Sequence, residues 1–252
     1  MRFVVVGIGS IGRWVAESLA EHHSVFAYDV DQSQYELLQR VRPVLSLSDI
    51  ADLSPDCVLC ATPLQTTDQV LLQLNSLLPT NVALGDVASI KWRPQSAYRQ
   101  MSRKFVSIHP MFGPTFTNMT DLVNHELIMI EESNSELLEV FADICARHQI
   151  ITRSLSFAEH DELMLSSLLT PYLCSLLFLK LPKDPQAPGT SFARHHQLAR
   201  SIFRNTPEFL AEVFSTQNAN VIFERARSVI TEIESLTPIQ LTQYLTDHLR
   251  CG

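Results

Sequence analysis

Phe3-Val4-Val5-Val6-Gly7-Ile8-Gly9-Ser10-Ile11-Gly12 stands at the head of the chain and decides its fold. The apolar run at 3–6 reads as a buried strand. The glycines follow at G-x-G-x-x-G spacing, and Arg13-Trp14-Val15-Ala16-Glu17-Ser18-Leu19 continues as a helix. Strand, glycine turn and helix in that order make a dinucleotide-binding signature out of an otherwise common pattern. Gly7 permits the tight turn, Gly9 lets the backbone approach a pyrophosphate, and Gly12 lets the helix pack closely on the sheet. With Ile8, Ser10 and Ile11 they form the expected cofactor cradle, at a helix N-terminus whose partial positive charge suits phosphates. Asp29 ends the next apolar run, where a carboxylate accepts a hydrogen bond from a ribose 2′-hydroxyl. Nothing basic occupies 30–34, and Asp31 adds a second acid, so the expected cofactor is NAD rather than NADP.

Working outward, residues 1–153 alternate short apolar runs with amphipathic segments, the pattern of repeated βα units and a mostly parallel, doubly wound sheet. Strands are predicted over 3–6, 25–28, 57–61, 82–86, 105–109, 127–130 and 150–153. Helices are predicted over 12–21, 34–40, 65–78, 93–101 and 135–148, the last capped by Ser133 or Asn134. From 154 to 252 the pattern is helical throughout, broken at Pro182–Gly189 and by Pro207 and Pro238. The first of these helices, 156–180, is apolar on nearly every side and calls for cover on every side. The expected architecture is therefore an α/β Rossmann-type domain, 1–153, and an all-α domain, 154–252, that buries its main helix in a homodimer interface.

Composition sets the frame. The 252 residues are 46% hydrophobic and 18% charged, enough to bury a sizeable core. The net charge of -8 argues against nucleic acid as partner. No apolar stretch reads as the roughly 20 residues that span a bilayer, and the chain opens straight into a strand, so a cytoplasmic protein is expected. Five cysteines fit that compartment as free thiols. Cys57 and Cys60 have redox-motif spacing, but three residues apart on a strand they point to opposite faces. The pairs His22-His23 and His195-His196 lack metal-ligand spacing.

Three later strand ends gather chemistry at the carboxyl edge of the sheet, where ligands of such folds collect. Ala61-Thr62-Pro63 closes one of them, and Thr62 and Pro63 are expected to line the cofactor cleft. Asp86-Val87-Ala88-Ser89-Ile90-Lys91 closes the second, and Ser107-Ile108-His109-Pro110-Met111-Phe112-Gly113-Pro114 the third. His109 suits a proton acceptor near neutral pH, on a loop that Pro110 and Pro114 stiffen.

These motifs, with Ala158-Glu159-His160-Asp161 opening the long helix, resemble the prephenate and arogenate dehydrogenase family in order and spacing, over nearly the whole chain. The resemblance implies NAD-dependent oxidative decarboxylation of prephenate to 4-hydroxyphenylpyruvate, a tyrosine precursor. It implies that His109 accepts a hydrogen bond from the ring hydroxyl and that Ser89 orients that hydroxyl and His109. Substrate carboxylates call for a cation; the family places an arginine in the helical domain, so Arg194 is the expected partner and Arg200 the second choice, with Lys91 as a further substrate-side cation. His160 and Asp161 are expected to tie the two domains together. Where many members carry a second substrate-contacting histidine, this chain has Tyr172, beside a helix-kinking Pro171. That departure keeps arogenate or an amino-substituted prephenate analogue open as substrate. Two other readings stand beside it: a reductase of β-hydroxy acids or imines using Lys91, and a non-catalytic NAD-binding regulatory dimer.

Overall fold

The computed structural model describes residues 1–114, 117–182, 189–202 and 204–249. Eight strands form one sheet: β1 (Arg2–Val6), β2 (Ser24–Tyr28), β3 (Arg42–Pro43), β4 (Cys57–Cys60), β5 (Ala83–Asp86), β6 (Phe105–Pro110), β7 (Glu126–Ile130) and β8 (Ile151–Leu155). Their order across the sheet is β3-β2-β1-β4-β5-β6-β7-β8. All neighbours run parallel except β6 and β7, which pair antiparallel with His109 opposite Ile128. The chain reverses direction across the sheet after β3, and the switch point between β1 and β4 is where a crevice opens in doubly wound folds.

The two faces of the sheet are covered separately. Helices α1 (Ser10–Leu19) and α4 (Ser135–Arg147) close one face over Phe3, Val5, Cys57, Leu59, Val106 and Ile108. Helices α2 (Leu64–Leu77) and α3 (Trp92–Tyr98) close the other over Val4, Val58, Cys60 and Leu84. Cys57 and Cys60 thus fall on opposite faces of β4, both free and buried, and burial pushes the Cys60 thiol well up. Asn134 caps α4 by accepting from the Leu137 N–H, which settles the choice between it and Ser133.

One local expectation is corrected, and one short strand is added to those expected. The helix predicted over 34–40 is a 3-10 segment, Gln32–Leu37, capped by Asp31. Tyr35 holds it against the sheet by donating to the Val44 carbonyl at 2.8 Å and accepting from the Asp29 N–H at 3.1 Å, so the segment follows the sheet edge and does not extend. Strand β3 has only two residues, one of them proline, and gives no apolar period to read.

After β8 the described chain is entirely helical: α5 (Phe157–Met164), a π-turn at Leu165–Leu169, α6 (Thr170–Lys180), α7 (Thr190–Ile202), α8 (Pro207–Phe214), α9 (Ala219–Ser235) and α10 (Pro238–Leu249). Most of the break expected at Pro182–Gly189 lies outside the described residues. The run Phe157–Lys180 is 24 residues long, and by length and composition it is apolar enough to cross a membrane, which corrects the expectation that no stretch reaches that length. Here its first part, α5, packs against α3, β7 and β8. Phe157 and Met164 enter the sheet-side core, and Leu165, Leu169 and Tyr172 join Leu64, Ala88, Ile90 and Val213 in a third cluster that packs the helices onto the turns after β4 and β5. Arg93 fastens the same junction, pairing with Glu212 of α8 at 2.6 Å and Asp68 of α2 at 3.4 Å.

Candidate active site

The glycine turn has the shape of a cradle. Gly7 sits at φ +95, and a Cβ there would lie 2.6 Å from the Ala61 carbonyl oxygen. A Cβ on Gly12 would lie 2.0 Å from the Gly7 carbonyl oxygen, so α1 approaches the turn as closely as backbone allows. A Cβ on Gly9 would meet nothing within 4 Å. Gly9 is also the N-cap of α1, with no side chain bonding the first-turn N–H groups and no acid in that turn. Free donors, the helix dipole and open space at one point fit a phosphate-bearing cofactor. Asp29 braces the cradle from β2, accepting from the Ile8 N–H at 2.6 Å and the Asp31 N–H at 2.9 Å, and it retains carboxylate lone pairs for a ribose hydroxyl. Across the crevice, Pro63 stands at the N-cap of α2 and is exposed, while Thr62 is half-buried beside Thr67.

Beyond β4 the site rests on a buried polar core. The Asp86 carboxylate, fully enclosed, accepts from Lys91 Nζ at 2.7 Å, the Ala88 N–H at 2.9 Å and the Tyr98 hydroxyl at 2.9 Å. Lys91 Nζ also donates to the Ile108 carbonyl at 2.8 Å. The sequence reading of Lys91 as a cation for substrate is corrected here: its side chain is 0% exposed and spends its donors inside the protein. It acts as a brace that ties the turn after β5 to the strand carrying His109.

His109 stands near the end of β6, 7% exposed. Burial first, then the nearby His160 and Lys91 charges, pushes its pKa well below the ordinary histidine value, so it is neutral at physiological pH. Its Nδ1 lies 3.0 Å from His160 Nε2, and His160 Nδ1 lies 3.2 Å from Asp161 Oδ1. His160 is completely buried, and burial lowers its pKa as well. Besides the tie between the two parts of the chain that is expected of them, His160 and Asp161 stand in a direct line to His109, across 51 positions, which the sequence does not show. Ser89 is half-buried on the turn after β5, and the described partner of the His109 ring is His160. Phe112 anchors the loop after His109 by an edge-on contact with Trp14 of α1, centroids 4.9 Å apart, which ties the motif to the helix that follows the glycine turn.

Tyr172 is buried on α6, in the cluster that includes Ala88, and its hydroxyl accepts from Asn205 at 2.9 Å. Asn205 was not singled out in the sequence, which offers no signal for it. Arg194 and Arg200 are exposed on α7, and neither makes an ion pair with a described residue.

Residues 15–145 match the family model described as the prephenate dehydrogenase nucleotide-binding domain. The chain belongs to the prephenate dehydrogenase family. No curated protein matches it. Among solved structures it is similar to an arogenate dehydrogenase from Synechocystis, at TM-score 0.78 and 19% identity over 99% of this chain and 96% of that one. It is also similar to a prephenate dehydrogenase from A. aeolicus, solved in complex with hydroxyphenyl propionate and NAD+, at TM-score 0.75 and 17% identity over 98% and 95% of the two chains. At such identities the likeness speaks for the fold; membership of the family makes the chain an oxidoreductase with a nucleotide-binding domain.

Proposed function

We propose that this chain is an NAD-dependent prephenate dehydrogenase that converts prephenate to 4-hydroxyphenylpyruvate by oxidative decarboxylation. The observation that carries the reading is His109: a neutral imidazole held at the same sheet edge as an open glycine cradle. NAD, when bound, supplies the hydride acceptor. His109 accepts the proton of the ring hydroxyl, and loss of carbon dioxide makes the ring aromatic. Gly7, Gly9 and Gly12 shape the cofactor's cradle, with Ile8, Ser10, Ile11, Thr62 and Pro63 around it, and Asp29 selects a ribose without a 2′-phosphate. Ser89, on the turn after β5, is the proposed residue that orients the ring hydroxyl and His109, and Arg194 is the proposed carboxylate partner.

Arogenate is the second reading, favoured by Tyr172, whose hydroxyl is already held by Asn205 where many members carry a histidine. We further assign residues 1–153 to cofactor binding and 154–252 to substrate binding and dimerisation, in a cytoplasmic homodimer. Half-buried Leu173, Leu176, Leu177 and Phe178 on α6 support that cover by a second subunit. The test is an absorbance assay for NADH with prephenate and with arogenate, each against NAD+ and NADP+. Turnover fastest with prephenate and NAD+ supports the reading. Faster turnover with arogenate replaces the substrate, and a preference for NADP+ removes the role of Asp29.

A further inference from the structure

Three titratable side chains stand in line from the sheet to the surface. His109 Nδ1 faces His160 Nε2 at 3.0 Å, and His160 Nδ1 faces Asp161 Oδ1 at 3.2 Å. The far end of the line is not sealed. The Asp161 side chain is 22% exposed and lines a cavity of about 480 Å³, together with Gln95, Arg99, Glu162, Gln217 and Arg225. The same Asp161 oxygen also accepts from the Lys91 N–H at 3.4 Å, which fixes the carboxylate against the turn after β5.

Donor and acceptor roles along this line follow from one end. An ionised carboxylate can only accept, so His160 carries its proton on Nδ1. A neutral His160 then offers a lone pair at Nε2, and His109 must carry its own proton on Nδ1 to fill it. The single lone pair left on His109 is at Nε2. We propose that His160 and Asp161 are positioning residues for His109: together they set its tautomer, leave Nε2 as the basic atom, and stabilise the imidazolium once that atom takes a proton. The proposal deepens the reading above, since it rests on His109 being the base. In the proton step one O–H bond of the substrate breaks and one N–H bond forms at Nε2. The Nδ1 and His160 protons stay in place, and the Asp161 charge faces the new cation through one neutral ring. This is the carboxylate–imidazole logic known from hydrolytic triads, lengthened by a second ring.

The charged groups around the line are few. On the sheet side Lys91 Nζ lies against Asp86 and the Ile108 carbonyl, and on the cavity side stand Arg99, Glu162 and Arg225. Lys91 adds positive charge near both rings and disfavours an imidazolium; at His160, Asp161 opposes that effect.

The experiment compares wild type, His160→Phe, His160→Gln and Asp161→Asn by steady-state kinetics across pH and by nitrogen-15 shifts of the histidine rings. His160→Phe removes the acceptor and is expected to lower kcat about 10²-fold, with KM for NAD+ changed less than about twofold. His160→Gln restores an amide oxygen for the His109 Nδ1 proton and is expected to recover about tenfold of that loss. Asp161→Asn removes the charge, so the acid limb of kcat/KM moves to lower pH as the rate falls; a purely structural role leaves the limb where it is. The ring shifts are expected to show His109 protonated at Nδ1 in wild type and a mixture of tautomers in His160→Phe. A wild-type His109 protonated at Nε2, or a folded His160→Phe within about threefold of wild-type kcat, overturns the proposal. The ring shifts need no substrate. If the wild type turned over neither prephenate nor arogenate, the functional reading would fall while the shifts still decided the tautomer.

Discussion

His109 owes its neutrality to burial, and that sets the direction of its pH dependence. A base whose pKa lies well below 6.5 stays unprotonated through the neutral range, so kcat/KM is expected to be level near pH 7 and to fall only as pH drops below the ordinary histidine value. A profile with its acid limb above pH 7 would show that another group controls the step. His109→Asn is expected to keep NAD+ affinity, read by NADH fluorescence, and to lose at least about 10²-fold in kcat. Near-normal turnover in that variant would remove His109 from the chemistry. Asp86 belongs to a different class. It is enclosed with Lys91 and Tyr98, and Asp86→Ala would strand the Lys91 ammonium in the interior at a cost of about 3–5 kcal/mol. Chemical denaturation checks this: a loss below about 1 kcal/mol would mean that water or a shifted side chain compensates the lysine.

At the scale of elements, the glycine turn and the long helix show what a sequence can and cannot announce. The turn was legible because its chemistry is local. A strand, three glycines and a helix fall within a dozen positions, and Gly7 and Gly12 are glycine because backbone lies where a Cβ would go. The two glycines flanking Ser10-Ile11 therefore give separable predictions. Gly12→Ala is expected to lower stability by about 1–3 kcal/mol through the clash with Gly7. Gly9→Ala, facing open space, is expected to leave Tm unchanged and to weaken NAD+ binding; loss of Tm in Gly9→Ala would contradict the cradle. The helix 157–180 was legible in length but not in form. Pro171 announced a kink; the structure has a π-turn, in which the Thr170 N–H and its hydroxyl both bond the Leu165 carbonyl, immediately before a proline that has no N–H to give. The link from His160 to His109 was not legible, because it joins a strand end to a helix across a long stretch of chain. Lys91 was misread for a related reason: a lysine beside a site looks like a ligand until its burial partner is seen.

Over the whole molecule, two features of a single chain remain to be balanced: uncovered apolar surface and buried histidines. Val229, Ile230 and Ile233 on α9 are 46%, 51% and 41% exposed, and Ile239 on α10 is 85% exposed. Together with the half-buried face of α6 they make a surface that a second copy would cover. Light scattering is expected to give twice the 28.4 kDa chain mass, and Ile230→Asp with Ile233→Asp to return the monomer. A monomeric wild type would end the dimer assignment. The histidines act on stability through pH. His109 and His160 both have pKa values lowered in the folded state, so at acid pH the unfolded chain binds more protons than the folded one. Stability is then complete above the unfolded value near 6.5 and declines as pH falls below it, by up to about 1.4 kcal/mol per pH unit for each ring. The carboxylates whose pKa values are lowered, Asp31 and Glu159, act only below that window, since their ordinary values are near 4. Thermal melts at fixed protein concentration are expected to show Tm lower at pH 5.5 than at pH 7.5. The gap should shrink in His109→Asn, which removes one of the two rings. An unchanged gap in that variant would mean that the His109–His160 pair is not what makes the protein acid-sensitive.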